Sequence, residues 1–350
     1  MATETYSVGI PIKISRIDRE LKKLWADGEG TMTRASQINL VVYSEEAGSL
    51  ARNTQSVAEI TENRACRAIV IAADPSAEND RLEAWISAHC HVSQSGSKQV
   101  CSEQISFLLE GSSTKFLSSI LFSQLDSDLP LYLWWQANFA EQMDPQLWAW
   151  VDRLIYDSQP WRDFDQQMQL IEKARRTSKQ RMVLCDLNWT RLVHYRLAFA
   201  QFFDHPSSHH HFGKIESVSL DHDPTCRSTA LLFIGWLAAQ LGWELTESDQ
   251  AGSISLRNSA GKPLQVQLQE RPGSPIGAFT ARSNGVDFSV AVASCGDLLQ
   301  VSRRAGGERN GYQLLPMGEN TLVRLVSEEL MRGGPHHVYL ASLQKIRPLL

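Results

Sequence analysis

The sequence predicts an α/β N-terminal domain, a mixed and largely parallel sheet with helices, followed by an α+β domain with an antiparallel sheet. Three observations predict it. Helix-period and strand-like segments alternate from Ser15 to Ser158, the order that builds parallel strand pairs. Leu129 to Trp134 is an uncharged run entered through Asp128-Leu129-Pro130, which reads as a buried central strand. From Trp243 onward, short alternating segments are separated by Gly-, Ser- and Asn-rich turns, the pattern of antiparallel strands. A chain of 350 residues exceeds the size at which one core stops growing. Residues 1–180 are expected to form the first domain and 181–350 the second, with a basic tract from Lys173 to Arg181 at the boundary.

The elements follow in order. Ser15 to Ala26 reads as a helix. Ile14, Ile17, Leu21, Leu24 and Trp25 share one stripe, and arginines and lysines occupy the other side. Ser36 to Tyr43 is a strand, Leu50 to Glu62 a helix, and Arg67 to Ala72 a second buried strand. Leu82 to Val92 and Gln99 to Leu109 flank Ser93-Gln94-Ser95-Gly96-Ser97-Lys98. That separator is too short for a crossover helix, so an antiparallel hairpin is expected.

Ser113 to Leu125 is helical and delivers the chain to the strand-like stretch Asp128-Leu129-Pro130-Leu131-Tyr132-Leu133-Trp134-Trp135. Pro130 fits only at the start of that strand, where its missing N–H costs no ladder bond. Adjacent Trp134 and Trp135 point to opposite faces. Either both indoles pack under helices, or one faces a cleft, a second layer or a partner. A helix from Asp144-Pro145, a strand from Arg153 to Ser158 and a helix from Asp163 to Thr177 complete the first half.

Asp186-Leu187-Asn188-Trp189 leads into a helix over Thr190 to Phe203, 206–211 is a loop, and Ile215 to Leu220 is a strand. Asp223-Pro224 places a capping residue before a Pro at the first helical position. The following helix, 225–241, is apolar nearly all round and should be buried. Strands lie within 254–303, and helices over Asn320 to Met331 and Tyr339 to Ile346 close the chain.

Composition excludes several classes. The net charge is −5, with 43% hydrophobic residues, which disfavours a general affinity for nucleic acid or anionic membrane. The start, Met1-Ala2-Thr3-Glu4-Thr5, is not a secretory signal. The protein is expected to be soluble and cytoplasmic. No Gly-x-Gly-x-x-Gly follows a strand, and the sequence contains neither a Walker-type loop nor a Gly-x-Ser-x-Gly elbow. No cofactor, metal or catalytic residue is expected. Ser158 after Asp157 could imitate a nucleophile, but a polar strand end with capping duty explains it as well. His209-His210-His211 reads as a solvated loop rather than a metal site, because adjacent residues rarely all point at one ion.

Among the cysteines, none forms a Cys-x-x-Cys pair. If 93–98 closes the hairpin symmetrically, Val92 faces Gln99 and Cys90 faces Cys101. Directly opposed residues lie within disulfide range. The two thiols are either a reversible redox pair or two reduced core cysteines.

Several motifs occur in series: Thr33-Arg34-Ala35, Arg67-Ala68-Ile69-Val70, Val100-Cys101-Ser102-Glu103-Gln104-Ile105, Asp128 through Trp135, Asp157-Ser158, Asp186-Leu187-Asn188-Trp189 with Arg191, and Leu232-Phe233-Ile234-Gly235-Trp236-Leu237. The ordered set resembles the glucose-6-phosphate dehydrogenase assembly protein family, OpcA, of cyanobacterial type, over about Thr33 to Gly242. The resemblance implies a non-catalytic allosteric activator. Such a protein would bind glucose-6-phosphate dehydrogenase and favour its active oligomeric state in the oxidative pentose phosphate pathway, with thioredoxin as a further partner. A binding protein needs exposed aromatics and arginines. Trp134, Trp135, Trp161, Arg162, Trp189 and Arg191 are the partner-binding candidates, although core packing suits each one singly as well. The alternative is a sugar-phosphate-binding protein or enzyme with its site at the strand ends near Trp135 and Asp157.

Overall fold

A computed structural model describes residues 8–26, 32–92, 99–141, 144–178, 181–204, 206–248, 252–306 and 308–349. The chain divides into two units. One comprises Met1–Tyr156, Gln167–Cys185 and Thr321–Gly334, the other Asp157–Gln166, Asp186–Asn320 and Pro335–Leu350. The backbone thus passes between them several times, where a linear reading of composition suggests one division at 180/181.

The first unit is built on a nine-stranded sheet. Its strands are β1 (Ile10–Ile12), β2 (Met32–Arg34), β3 (Asn39–Ser44), β4 (Arg67–Asp74), β5 (Arg81–Val92), β6 (Gln99–Glu110), β7 (Leu131–Trp135), β8 (Val151–Tyr156) and β9 (Val183–Asp186). The order is β1-β5-β6-β4-β3-β7-β8-β9, with β2 beside β6. The centre is parallel, β6-β4-β3-β7-β8, and β5 joins it antiparallel. Leu40, Val41, Val42 and Ile69, Val70, Ile71 are all 0% exposed, as continuous apolar runs require when both faces are covered.

Helices α1 (Ile17–Ala26), α2 (Ser49–Thr61), α3 (Leu117–Gln124), α4 (Pro145–Trp150) and α5 (Phe164–Thr177) connect these strands. Entry to β7 is fixed by Asn39. Its Nδ2 donates to the carbonyls of Asp126 (2.8 Å) and Leu129 (2.9 Å), and its Oδ1 accepts from the Asp126 amide. Pro130 therefore sits in a loop already held from β3. The β5–β6 register pairs Val92 with Gln99 and Cys90 with Cys101; the connection 93–98 lies outside the described residues.

The second unit holds α6 (Leu187–Arg191), α7 (Val193–Ala200) and α8 (Arg227–Leu241). Its eight-stranded sheet has the order β11-β12-β13-β10-β14-β15-β16-β17. These strands are β10 (Ile215–His222), β11 (Glu244–Ser248), β12 (Ser253–Arg257), β13 (Pro263–Glu270), β14 (Ile276–Ser283), β15 (Val286–Val292), β16 (Leu298–Ala305) and β17 (Glu308–Pro316). Pairing is antiparallel except for β10 with β13. Inward residues alternate with outward ones, as one-sided burial demands.

Two more helices, α9 (Leu322–Met331) in the first unit and α10 (His337–Ile346) in the second, finish the chain. Gly235 of α8 sits against α10: a Cβ there would lie 2.4 Å from Ile346 and 2.7 Å from the Ser342 carbonyl, so only glycine permits this approach. Asp223 caps the turn before α8 by accepting from the Thr225 amide at 2.9 Å, and Gly242, at φ 66°, ends the helix.

The differences from expectation are local. The helix over Thr190 to Phe203 starts earlier, at Leu187, and breaks into α6, α7 and a 3-10 turn, and 206–211 belongs to a 3-10 turn rather than a plain loop. Strands β1, β2, β11 and β17 carry too little pattern to be read in advance. Among the described residues, no helix is long and apolar enough to cross a membrane.

Candidate functional site

The motif residues of the second unit converge on one carboxylate. Asp186 follows the buried stretch Leu184-Cys185 and caps α6, its Oδ1 accepting from the Asn188 amide at 3.0 Å. The same oxygen accepts from the Ser158 amide at 3.0 Å, while Oδ2 accepts from Ser158 Oγ at 2.6 Å and from Tyr339 Oη at 3.0 Å. Asn188 extends the network. Its Nδ2 donates to Ser158 Oγ (3.1 Å) and Ser228 Oγ (3.2 Å), and its Oδ1 accepts from Thr229 Oγ1 (2.7 Å). All six of these residues are buried.

Four donors reach Asp186, and among the described residues none of its partners is a cation. Burial pushes its carboxyl up to about 7, with Asp157 acting the same way and the Ser158 and Asn188 donors acting against them. Beside it, Arg191 holds Asp157 in a two-pronged ion pair at 2.7 and 2.6 Å. Trp189 packs on the Tyr339 ring at 5.5 Å and lies 3.5 Å under the Arg196 guanidinium.

The motif residues of the first unit converge on a different carboxylate. Glu103 of β6, its side chain 1% exposed, pairs with Arg67 of β4 and with Arg34 of β2 at 2.7 Å. Trp25 Nε1 of α1 donates to it at 3.2 Å. Next along the strand, Gln104 donates to Thr54 Oγ1 (2.9 Å) and Ser106 Oγ (2.8 Å), and its Oε1 meets His89 Nε2 at 2.9 Å. Burial pushes the His89 imidazole below its usual range, opposed by its bond to Gln104. Cys90 and Cys101 are joined by a disulfide with Cα atoms 4.1 Å apart. Cys90 is exposed, whereas Cys101 is buried.

In chemical terms these networks are closed. Ser158 is 0% exposed and donates to Asp186, so its hydroxyl caps and bridges rather than meeting a substrate. Asp157, named with the alternative sugar-phosphate site, is spent on Arg191. His91 turns to Thr61 Oγ1 at 3.3 Å, away from the Gln104 partnership of His89. His211 is buried against Ser283.

The six partner-binding candidates are not brought together. Trp134 is 2% exposed, Trp135 7% and Trp189 3%. These three correct the expectation of displayed aromatics. β7 is a central strand covered on both faces, so opposite-pointing indoles are both buried. Trp135 stacks on Tyr43 at 4.0 Å and lies 5.7 Å from Trp148. Arg191 is tied to Asp157. Trp161 is half-buried and Arg162 is exposed. The exposed large apolar residues lie elsewhere, Trp150 and Tyr312 at 61% each among them, and no motif marks them.

Residues 57–173 match the family described as the N-terminal domain of the glucose-6-phosphate dehydrogenase subunit, and residues 182–343 match the family described as its C-terminal domain. Similar curated proteins are each named "Putative OxPP cycle protein OpcA". The one from Synechocystis is 24% identical over 318 residues, covering 83% of this chain and 65% of the relative. The one from Nostoc punctiforme is 24% identical over 315 residues, covering 81% and 65%. The chain thus spans about two-thirds of the length of these relatives.

Among solved structures, a dehydrogenase (MviM) from Clostridium difficile aligns with a TM-score of 0.45 at 11% identity, covering 90% of this chain and 98% of that one. Aldose-aldose oxidoreductase from Caulobacter crescentus aligns with a TM-score of 0.48 at 8% identity, covering 89% and 96%. With matches to both domains and to cyanobacterial relatives, the chain belongs to the OpcA family of glucose-6-phosphate dehydrogenase assembly proteins, cyanobacterial type.

Proposed function

We propose that this chain is a non-catalytic partner of glucose-6-phosphate dehydrogenase that binds the active oligomeric form of the enzyme more tightly than the inactive one. One observation carries the reading: the acidic motif residues Asp186 and Glu103 have their oxygens occupied by the chain's own donors. A general base needs a free lone pair aimed at a substrate proton. These carboxylates instead hold strands and helices in place, which suits a rigid binding scaffold.

Activation then works by population shift. Moving an enzyme from mostly inactive to mostly active needs differential affinity on the order of 5 kcal/mol, within reach of an interface of ordinary size. The test is a titration of the purified chain into glucose-6-phosphate dehydrogenase, following rate and sedimentation together. Saturable activation accompanied by a heavier complex is expected. An unchanged rate and an unchanged sedimentation profile refute the proposal.

A reversible Cys90–Cys101 pair is part of the same reading. An external dithiol attacks the exposed Cys90 sulfur and passes two electrons and two protons to the pair. Two thiols result, and the reductant leaves as its own disulfide. Alkylation after mild dithiol treatment should label both cysteines. Labelling of neither would remove this part.

A further inference from the structure

The motif Leu232 to Leu237 ends on Trp236 and Leu237, which line a cavity of about 490 Å³ in the second unit. Four aromatic rings wall it. Phe199 comes from α7, Phe203 from the 3-10 turn Gln201–Phe203, Phe212 from the 3-10 turn Pro206–Lys214, and Trp236 from α8. The rings form one continuous arc: Phe212 stacks on Phe203 at 4.0 Å, Phe203 meets Phe199 at 5.3 Å, and Phe199 meets Trp236 at 6.3 Å. Successive planes turn by 27°, 69° and 81°. Near-perpendicular neighbours surround a guest instead of sandwiching a flat one, so the wall is a cage and not a slot.

The far wall is a single side of α8, where Trp236, Leu237, Gln240 and Leu241 stand next to one another by helical spacing. Most of α8 is buried, yet Trp236 is only half-buried and Gln240 is exposed. Phe199 and Phe203, 2% and 4% exposed, form the deep end. Among the described residues, Asp204 is the one charged side chain in the lining, and it is exposed. Lys214, one residue past Gly213 of the wall, does not line it.

These features select a guest. At about 30 Å³ each, roughly sixteen waters fill the space, and apolar walls bond them poorly. An organic body that displaces them gains by its own burial. Aromatic faces attract a cation, and the Asp204 carboxylate adds to that attraction while repelling phosphates and carboxylates. We propose that this cavity binds an organic ammonium ion, a compact apolar or aromatic body of about a dozen heavy atoms carrying one protonated amine. The body fills the aromatic arc and the ammonium group lies beside Asp204. The site goes beyond the partnership with glucose-6-phosphate dehydrogenase and does not depend on it.

Saturation-transfer NMR on the chain alone, with phenethylammonium and with phenylpropionate as the anion of like shape, tests this. The ammonium probe should bind with a Kd of about 1 mM or tighter, and the anion at least about 10-fold more weakly. Asp204→Asn, at an exposed position, should weaken ammonium binding about 3-fold or more and leave the unfolding temperature unchanged. Gln240→Trp, also at an exposed position, should plug the cavity and abolish the signal. No transfer to the ammonium probe at about 10 mM, equal binding of the two probes, or binding indifferent to both folded variants overturns the proposal.

Discussion

Glu103 and Asp186 are both buried carboxylates at motif positions, one in each unit, and they are held by opposite means. Glu103 is neutralised by charge, between Arg67 and Arg34. Asp186 is surrounded by a serine, an asparagine amide and a tyrosine, all neutral. Charge pairing fixes an ionised group but leaves a stranded cation when one member is lost. Neutral donors satisfy geometry yet leave the ionised form poorly compensated, which is why burial raises Asp186 to about 7. The first arrangement should be brittle to mutation, and the second sensitive to pH.

Four substitutions sharpen that contrast, beginning with the largest effect. Glu103→Gln removes the shared anion from Arg67, whose side chain is 11% exposed. A loss of about 3–5 kcal/mol in urea unfolding is expected, whereas a loss below about 1 kcal/mol would show that solvent already screens the pair.

Asp186→Asn keeps the shape but faces the Ser158 hydroxyl and Tyr339 with one oxygen fewer. It should cost about 1–3 kcal/mol at pH 5, where the native carboxyl is protonated. The same variant carries the pH test. The folded chain keeps the Asp186 proton up to about 7, whereas the unfolded chain loses it near 4. Stability from this group is therefore full below about pH 4 and declines as pH rises towards 7, by at most about 1.4 kcal/mol per unit. Unfolding midpoints of the parent and Asp186→Asn chains should converge over that window. Parallel curves would place the Asp186 proton elsewhere.

Tyr339→Phe deletes one donor of the four and should cost about 1–2 kcal/mol while raising the Asp186 titration further. Arg34→Ala should be mildest, at about 1 kcal/mol or less, since the Arg34 side chain is 45% exposed and water replaces it.

Much of the fold was legible in advance, for physical reasons. Continuous apolar runs at Leu40–Val42 and Ile69–Ile71 belong to strands covered on both faces, and the short separator after Val92 forced a hairpin. Gly242 and Asp223-Pro224 punctuated α8 by local chemistry that needs no partner. Three-residue strands such as β1 and β2 carry no periodicity, so they escaped. The site was less legible. Two adjacent tryptophans reveal their opposite directions but not whether each face is covered, which depends on what packs above β7. Ser158 was visible as a polar strand end, and Asp186 as the lead into a helix, but the short strand before Asp186 was not. Tyr339, 153 residues from Asp186, had no local mark tying it to them.

The central claim is that these buried motif residues hold a scaffold and perform no chemistry. The rate of glucose-6-phosphate dehydrogenase, measured against rising amounts of the parent chain and of the folded Asp186→Asn chain, tests it most directly. Both should raise the rate to the same plateau, at a temperature where circular dichroism shows both folded. No rise with the parent chain, or a plateau lost in the folded variant, would contradict the account.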